Sequence, residues 1–436
     1  MSNFSNSNSS SANTPSAPPP NSARRILIAS LAGTTIEFFD FYIYATAAVL
    51  VFPKLFFPSS DANSAILESL ATFALAFFAR PVGAALFGHF GDRLGRKATL
   101  IAALLTMGIS TVVIGLLPTY ASIGVTAPFL LALCRFGQGL GLGGEWGGAI
   151  LLATENAPPG KRAWYGMFPQ LGAPLGFVCS GGIFLLLSVC LSNEQFIAYG
   201  WRLPFIASSA LIMVGLYVRL NITETPAFLE SMRRKESVAV PMLSIFRDHF
   251  RALLLGTLIA VATFVIFYLL TVFCLSWGTS HLGYSRNQFL VIQLIGVLFF
   301  AVTIPWSAKL ADRHGRRIMM IIASALIILF GLFLGPLFSA GTWGVIATLV
   351  IGFSLMGMTY GPLGTLLSEL YPTAVRYTGA SVSFSMAGIL GASLAPYIAT
   401  SLAMKHGLGA VGYYLSATAL LSLIALLING ERRHED

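Results

Sequence analysis

The sequence predicts an all-α membrane protein of twelve transmembrane helices arranged as two six-helix halves. Three observations predict it. Apolar runs of about 20 residues, the length of helix that crosses a bilayer, recur down the chain. Basic residues fall in alternate loops. A short charged loop motif returns at an offset of 220 residues.

The chain has 436 residues, 56% hydrophobic and 10% charged. A soluble protein of this size carries charge on about a quarter of its residues, so lipid is the natural replacement for the missing solvent surface. The net charge of +9 does not point to nucleic acid, because the basic residues sit in short loops between apolar runs and form no stripe or aromatic-interleaved patch. Cys134, Cys179, Cys190 and Cys274 lie in or at the ends of apolar stretches without paired spacing, which suits buried filler. Residues 1–23 are rich in Ser, Asn and Pro and precede Arg24 and Arg25. That order is the reverse of a cleavable signal, and a disordered tail over 1–25 is expected.

In chain order the spans are expected near 26–56, 66–91, 98–118, 127–153, 164–190, 201–222, 253–278, 289–310, 318–338, 343–367, 379–402 and 410–429. Loops on the side of the two termini hold twenty Lys and Arg, and the opposite loops hold only Lys54, Arg202, Arg286 and Lys405. By the positive-inside rule both termini are cytoplasmic, as expected for an inner-membrane protein. The first half is expected over 26–222, a basic cytoplasmic linker over 223–252, the second half over 253–430 and a short tail over 431–436. The linker, basic around Arg233–Lys235, is placed to lie on anionic lipid.

The halves echo each other. GHFGDRLGRK (88–97) follows the second span and AKLADRHGRR (308–317) the eighth. Glu155-x-x-Pro158-x-x-x-Arg162 follows the fourth span, and Glu369-x-x-Pro372-x-x-x-Arg376 follows the tenth at an offset of 214. Two matches at nearly equal offsets indicate duplication, and parallel six-helix repeats suit rocking of one half against the other. Gly95 and Gly315 permit tight reversals. Asp92 and Asp312 can face a helix N-terminus or pair with Arg93, Arg96, Arg313 and Arg316. With Gly88, Glu155, Arg162, Glu369 and Arg376, these residues are the expected gating set. Ala308 stands where the first motif has Gly88, which predicts a weaker second latch.

Ionisable groups inside hydrocarbon are costly and mark function by default. The first span holds Glu37 and Asp40 on one helix face. The second holds Arg80, the fourth Arg135, Gln138 and Glu145, and the fifth Gln170 between Pro169 and Pro174. Glu37, Asp40 and Glu145 are the candidate proton carriers. Arg80, Arg135, Gln138 and Gln170, with Tyr268 and Gln293 from the second half, are the candidate substrate ligands. Two plainer readings stand beside these: a structural Arg80–Asp40 ion pair, and a Glu145 that serves the loop latch about 15 Å along the helix from Arg135. The second-half spans offer Tyr268, Gln293, Ser354 and Tyr360, which hydrogen-bond but do not titrate near neutrality, so proton chemistry belongs to the first half.

GLGLGG (139–144) fits a dinucleotide fingerprint only as letters, since no strand precedes it. Gly139, Gly143 and Gly147 fit close helix packing instead. Pro169, Gly172, Pro174 and Gly176 predict a bent fifth span.

GTTIEFFDFYIY (33–44), RPVGAALFGHFGDRLGRK (80–97), RFGQGLGLGGEWGG (135–148) and ELYPTAVRYTGAS (369–381) together resemble the metabolite:proton symporters of the major facilitator superfamily. The resemblance covers about residues 25–430. It implies the major facilitator fold, no cofactor, and proton-coupled uptake of a small organic metabolite. The expected substrate is a carboxylate such as shikimate or a di- or tricarboxylate, with a proline- or betaine-type zwitterion as the alternative. The partners are then substrate, protons and lipid, with no nucleic acid, and a monomer is expected. An integral-membrane enzyme finds no support in HExxH, GxSxG or Walker A patterns, and two rocking halves argue against a continuous channel.

Overall fold

The computed structural model describes residues 23–58, 61–94, 96–220, 241–372 and 375–430, without the side chains of residues 88–100 or of Ala23, Arg25, Ile26, Glu155 and Pro241. The described residues form helices joined by short turns. Nine helices among them are long and apolar enough to cross a membrane. Three further spans complete the twelve. Ala23–Leu50 carries Glu37 and Asp40, Arg96–Leu116 is the third span, and the fourth runs as two helices, Thr126–Leu142 and Trp146–Glu155. Large apolar side chains such as Phe129, Leu133, Met213, Val302 and Phe333 are exposed around the outside. Such a surface suits lipid and not water.

The two six-helix halves are built alike. Within the first, the second span packs on the fourth, the third on the sixth, and the first on the fifth. Within the second, the eighth packs on the tenth, the ninth on the twelfth, and the seventh on the eleventh. Helix ends are closed in a matching way. Arg202, opening the sixth span, donates to the carbonyls of Gly115 and Leu117 at the end of the third, at 2.9 and 2.6 Å. Arg317, near the start of the ninth, donates to Leu426 and Leu427 at the end of the twelfth, at 2.7 and 3.0 Å. Each guanidinium satisfies carbonyls that the helix leaves without partners.

Glycines set the closest approaches. A Cβ at Gly139 would collide with Ala76, and one at Gly143 with the carbonyl of Arg80, so the fourth span lies directly on the second. Gly147 faces Ser381 of the other half. The close-packing reading of this glycine series therefore holds. The fifth span passes from Arg162–Gln170 to Gly172–Cys190 through Leu171. Gly315 takes φ +96° at the reversal between the eighth and ninth spans, a conformation that favours glycine.

The linker and the chain ends lie largely outside the described residues. The part of the expected linker that is described forms the helix Pro241–Asp248, and the seventh span begins at Phe250. Ile245 buries itself with Leu253, Tyr371, Val375 and Val382, which fastens this helix to the second half.

Candidate functional site

The buried charges divide into two clusters. In the first, the fourth span presents Arg135, fully buried, toward the first and second spans. Its guanidinium carbon lies 4.1 Å from the ring centres of Phe41 and Tyr44 and 4.8 Å from that of Phe73. Aromatic faces stabilise a cation there. Nε donates to the Phe73 carbonyl at 3.4 Å and Nη1 to Gln138 Oε1 at 2.9 Å, while Nη2 is buried without a partner. Gln138 Nε2 in turn donates to Thr111 Oγ1 of the third span at 2.8 Å. Thr111 lies beside the carboxyl of Asp40. Asp40, fully buried on the first span, also accepts a hydrogen bond from Ser208 of the sixth, and its Oδ2 makes no hydrogen bond. Polar side chains of four helices thus gather here: Arg135 and Gln138 reach Thr111, whose hydroxyl donates to its own Met107 carbonyl at 3.0 Å, with Asp40 and Ser208 beside it.

Arg80 belongs to the same region. It is 8% exposed, and its guanidinium carbon stands 5.3 Å from the ring centre of Phe384 in the eleventh span. Tyr42, Tyr268 and Tyr360 surround it within electrostatic reach, as does Arg135. Its Nε is buried without a hydrogen-bond partner, and among the described residues it pairs with no carboxylate. The structural Arg80–Asp40 ion pair is therefore absent. The reason is geometric: Asp40 turns to the third and sixth spans, and Arg80 turns to the other half.

The second cluster is an ion triad. Arg219 pairs with Glu145 and, at 3.4 Å, with Glu37. Arg219, one of the basic residues counted toward the terminus-bearing side, lies at the end of the sixth helix, Arg202–Leu220, with its side chain 12% exposed. Counting it with the helix leaves the basic excess of that side intact. Glu145 sits where the fourth span breaks, at the start of Trp146–Glu155. Among the described residues its partner is Arg219, and the first-half loop that the latch reading of Glu145 concerns has its side chains outside the described residues.

Above these clusters the halves meet through an aromatic layer. Tyr268 packs edge-on to Phe77 at 5.4 Å and lies 5.5 Å from Phe73, while Phe267 lies 5.5 Å from Tyr42. Toward the face that carries the chain ends, Trp146 stacks on Phe384 at 3.7 Å and 7°. Trp146 Nε1 donates to Gln170 Oε1 at 3.1 Å, and Gln170 Nε2 donates to the Tyr360 carbonyl at 2.9 Å. Tyr377 donates to the Gly144 carbonyl. Gln170, grouped with the substrate ligands by sequence, spends its amide on this cross-half bridge. Gln293 is equally committed, donating to the carbonyls of Leu270 and Thr271 in the seventh span at 2.9 and 2.8 Å.

At the terminus-bearing face, Asp312 reaches across the halves. Its two oxygens accept the backbone N–H groups of Ala163 and Trp164, each at 2.9 Å, at the start of the fifth span. A carboxylate on a helix N-terminus is favoured by the unpaired N–H groups and the dipole. Arg316 holds Asp312 at 3.5 Å and also pairs with Glu369. Arg162 is exposed and offers its carbonyl to Thr365 at 3.4 Å, Arg376 donates to the Tyr371 carbonyl at 3.3 Å, and Arg313 is exposed. The second-half latch is engaged through Asp312, Arg316 and Glu369, with Ala308 buried in the eighth span. Gly95 lies outside the described residues, as do the side chains of Asp92, Arg93, Arg96 and Glu155 and the surroundings of Gly88. At the opposite face Arg286 closes the halves, 3.9 Å over the Phe196 ring and 3.4 Å from Asn193 Oδ1.

Sequence reasoning found the charges but missed their connectors. Thr111, Ser208 and Trp146 are ordinary residues of apolar helices, with no spacing that marks them.

Twelve spans in two like halves, with buried charge between them, define a class of membrane transporter. A family model for the Major Facilitator Superfamily matches residues 30–396, and the chain belongs to that superfamily. It is 59% identical over 423 residues to the inner membrane metabolite transport protein YhjE of Escherichia coli K12, covering 96% of both chains. It is 35% identical to the shikimate transporter of the same organism, covering 94% of this chain and 95% of that one. It is 34% identical to the proline/betaine transporter of Salmonella typhimurium LT2, covering 92% of this chain and 82% of that one. The crystal structure of a D-xylose-proton symporter superposes with a TM-score of 0.74 at 17% identity, covering 94% of this chain and 98% of that one. That likeness concerns the fold.

Proposed function

We propose that this protein is a proton-coupled symporter that brings a small organic carboxylate into the cell across the inner membrane, with both termini cytoplasmic. One observation carries the reading: Arg80 and Arg135 are both buried, each with a donor that has no partner (Arg80 Nε and Arg135 Nη2), and neither pairs with a carboxylate among the described residues. Two uncompensated cations in a low-dielectric site are costly, and an anionic ligand relieves that cost. Guanidinium donors also match carboxylate geometry.

The three acids buried in the spans of the first half have other employment. Glu37 and Glu145 share Arg219, and Asp40 faces hydroxyls. That favours a carboxylate over a betaine, whose quaternary amine needs a free acid or an open aromatic cage. The aromatic faces of Phe41, Tyr44 and Phe73 are already taken by Arg135.

Asp40 is the proposed proton site. It has no cation partner, and Thr111 and Gln138 stand between it and Arg135, so substrate and proton occupancy can influence one another. Glu37 and Glu145 offer a second acid pair beside Arg219. The proposed ligands are Arg80, Arg135 and Tyr268, with Gln138 orienting Arg135. Asp312, Arg316 and Glu369, with the start of the fifth span at Arg162, form the proposed cytoplasmic latch. Gly88, Asp92, Arg93, Gly95, Arg96 and Glu155 are proposed to build its first-half counterpart by repeat symmetry. Arg286 would close the opposite face.

The test is a thermal-shift panel of organic carboxylates, proline and betaines on the purified protein, followed by uptake of each stabilising compound with and without a protonophore. Stabilisation by carboxylates and protonophore-sensitive accumulation are expected. Stabilisation by betaines alone, or accumulation that follows a sodium gradient, contradicts the reading.

A further inference from the structure

The seventh span is not a continuous α-helix. Phe250–Tyr268 passes into one π-helical turn, Leu269–Phe273, before Cys274–Ser280 resumes. A π-turn amounts to one extra residue in the helix, and it reorients everything before it relative to everything after it. The turn begins directly after Phe267 and Tyr268, the two rings that cross to Tyr42, Phe73 and Phe77 of the first half. Within the turn, the Cys274 N–H reaches back to the Leu269 carbonyl.

The carbonyls of the next two residues are covered from outside the helix. Gln293 of the eighth span donates one amide proton to Leu270 at 2.9 Å and the other to Thr271 at 2.8 Å. Gln293 is 1% exposed, and its Oε1 has no partner. The first half has a simpler counterpart: Ser69 of the second span donates once, to Ala48 in an unbroken first span, at 2.6 Å.

We propose that Gln293 is a positioning residue. By holding the carbonyls of Leu270 and Thr271 it fixes the π-turn that presents Phe267 and Tyr268 to the site around Arg80 and Arg135. The inference rests on the site reading above only for the meaning of that position. The position itself is measured without any ligand.

Unpaired carbonyls in an apolar interior drive a helix to rearrange. Without the two donors the π-turn can relax toward α-helix, which turns Tyr268 by about a quarter-turn relative to the outer part of the span. Gln293→Met keeps the length of the side chain and removes both donors.

The experiment uses the full chain, with its four cysteines replaced, in proteoliposomes. One sample carries Tyr42→Cys with Phe267→Cys, whose native rings lie 5.5 Å apart. A second carries Gly181→Cys with Leu294→Cys, a pair in contact across the halves beside Gln293 on the eighth span. Disulfide formation under a mild oxidant is timed with and without Gln293→Met. The first pair is expected to slow about fivefold or more, as the loss of two buried hydrogen bonds implies, while the second keeps its rate. An unchanged first pair overturns the inference. Equal slowing of both pairs also overturns it, since that marks general loosening of the halves. Either failure leaves the carboxylate reading standing, because no substrate enters the measurement.

Discussion

The two halves share a packing plan but not a chemistry. The first half buries Glu37, Asp40, Arg80, Arg135 and Glu145 and draws in Arg219. The spans of the second half bury hydroxyls, Gln293 and tyrosines instead. Two equivalent scaffolds thus differ in content: one carries the buried charges, and the other packs rings and hydroxyls against them. The contacts between them follow this division. Second-half Phe384 covers Arg80, second-half Tyr268 packs on first-half Phe77, and second-half Asp312 closes on a first-half helix end. Charge in one half is read by shape in the other.

The largest expected effect breaks the comparison at its centre. Asp40→Asn removes the acid without changing its size. Uphill accumulation should be abolished, while exchange of substrate across the membrane at equal concentrations persists. Counterflow in proteoliposomes measures both. If Asp40→Asn accumulates substrate as wild type does, the proton site lies elsewhere, and Glu37 with Glu145 becomes the next candidate.

Arg135→Lys should come second. The ammonium keeps the charge but cannot hold Gln138, the Phe73 carbonyl and a ligand in one plane. Binding should weaken about tenfold, near 1.4 kcal/mol, in a titration monitored by thermal shift. Equal affinity would remove Arg135 from the site.

A smaller effect is expected in the second half. Asp312→Asn loses the charge that faces the Ala163 and Trp164 N–H groups. A helix-end carboxylate contributes about 1 kcal/mol, so the cytoplasmic-open population should rise about fivefold. Cysteine labelling from that face, at a reporter in the tenth span, reads it. Unchanged labelling would make the motif a topology signal only. The smallest effect belongs to Trp146→Phe, which preserves the stack on Phe384 and deletes one hydrogen bond to Gln170, worth about 1 kcal/mol. The same labelling should rise less than in Asp312→Asn. A larger rise would move the main closure from the latch to the tryptophan.

Much of this was legible beforehand, for physical reasons. Span length follows from bilayer thickness, and duplication shows as repeated letters. Arg135 and Asp40 stand out because charge in hydrocarbon needs a cause. Partnership was not legible. Asp40 and Arg80 have the right charges to pair, but the side on which each helix packs sends them apart. Arg219 lies in the expected sixth span but counts with the basic residues of the terminus-bearing side, because a snorkelling arginine at a helix end resembles a loop residue in sequence. Thr111 and Ser208 carry no signal, since hydroxyls in apolar helices most often bond to their own backbone. Gln170 and Gln293 were recognised as important polar groups, but only the fold reveals that each spends its amide on a carbonyl of another helix.

Two buried arginines of the first half are proposed to admit an organic anion together with a proton. The most direct measurement is proton entry into proteoliposomes containing a pH-sensitive dye, on external addition of shikimate, other organic carboxylates, proline or glycine betaine. At least one carboxylate should draw protons inward with saturation in the wild type, and the same compound should draw none in Asp40→Asn. Proton entry with betaine but with no carboxylate, or saturable carboxylate uptake without proton entry, would contradict the account.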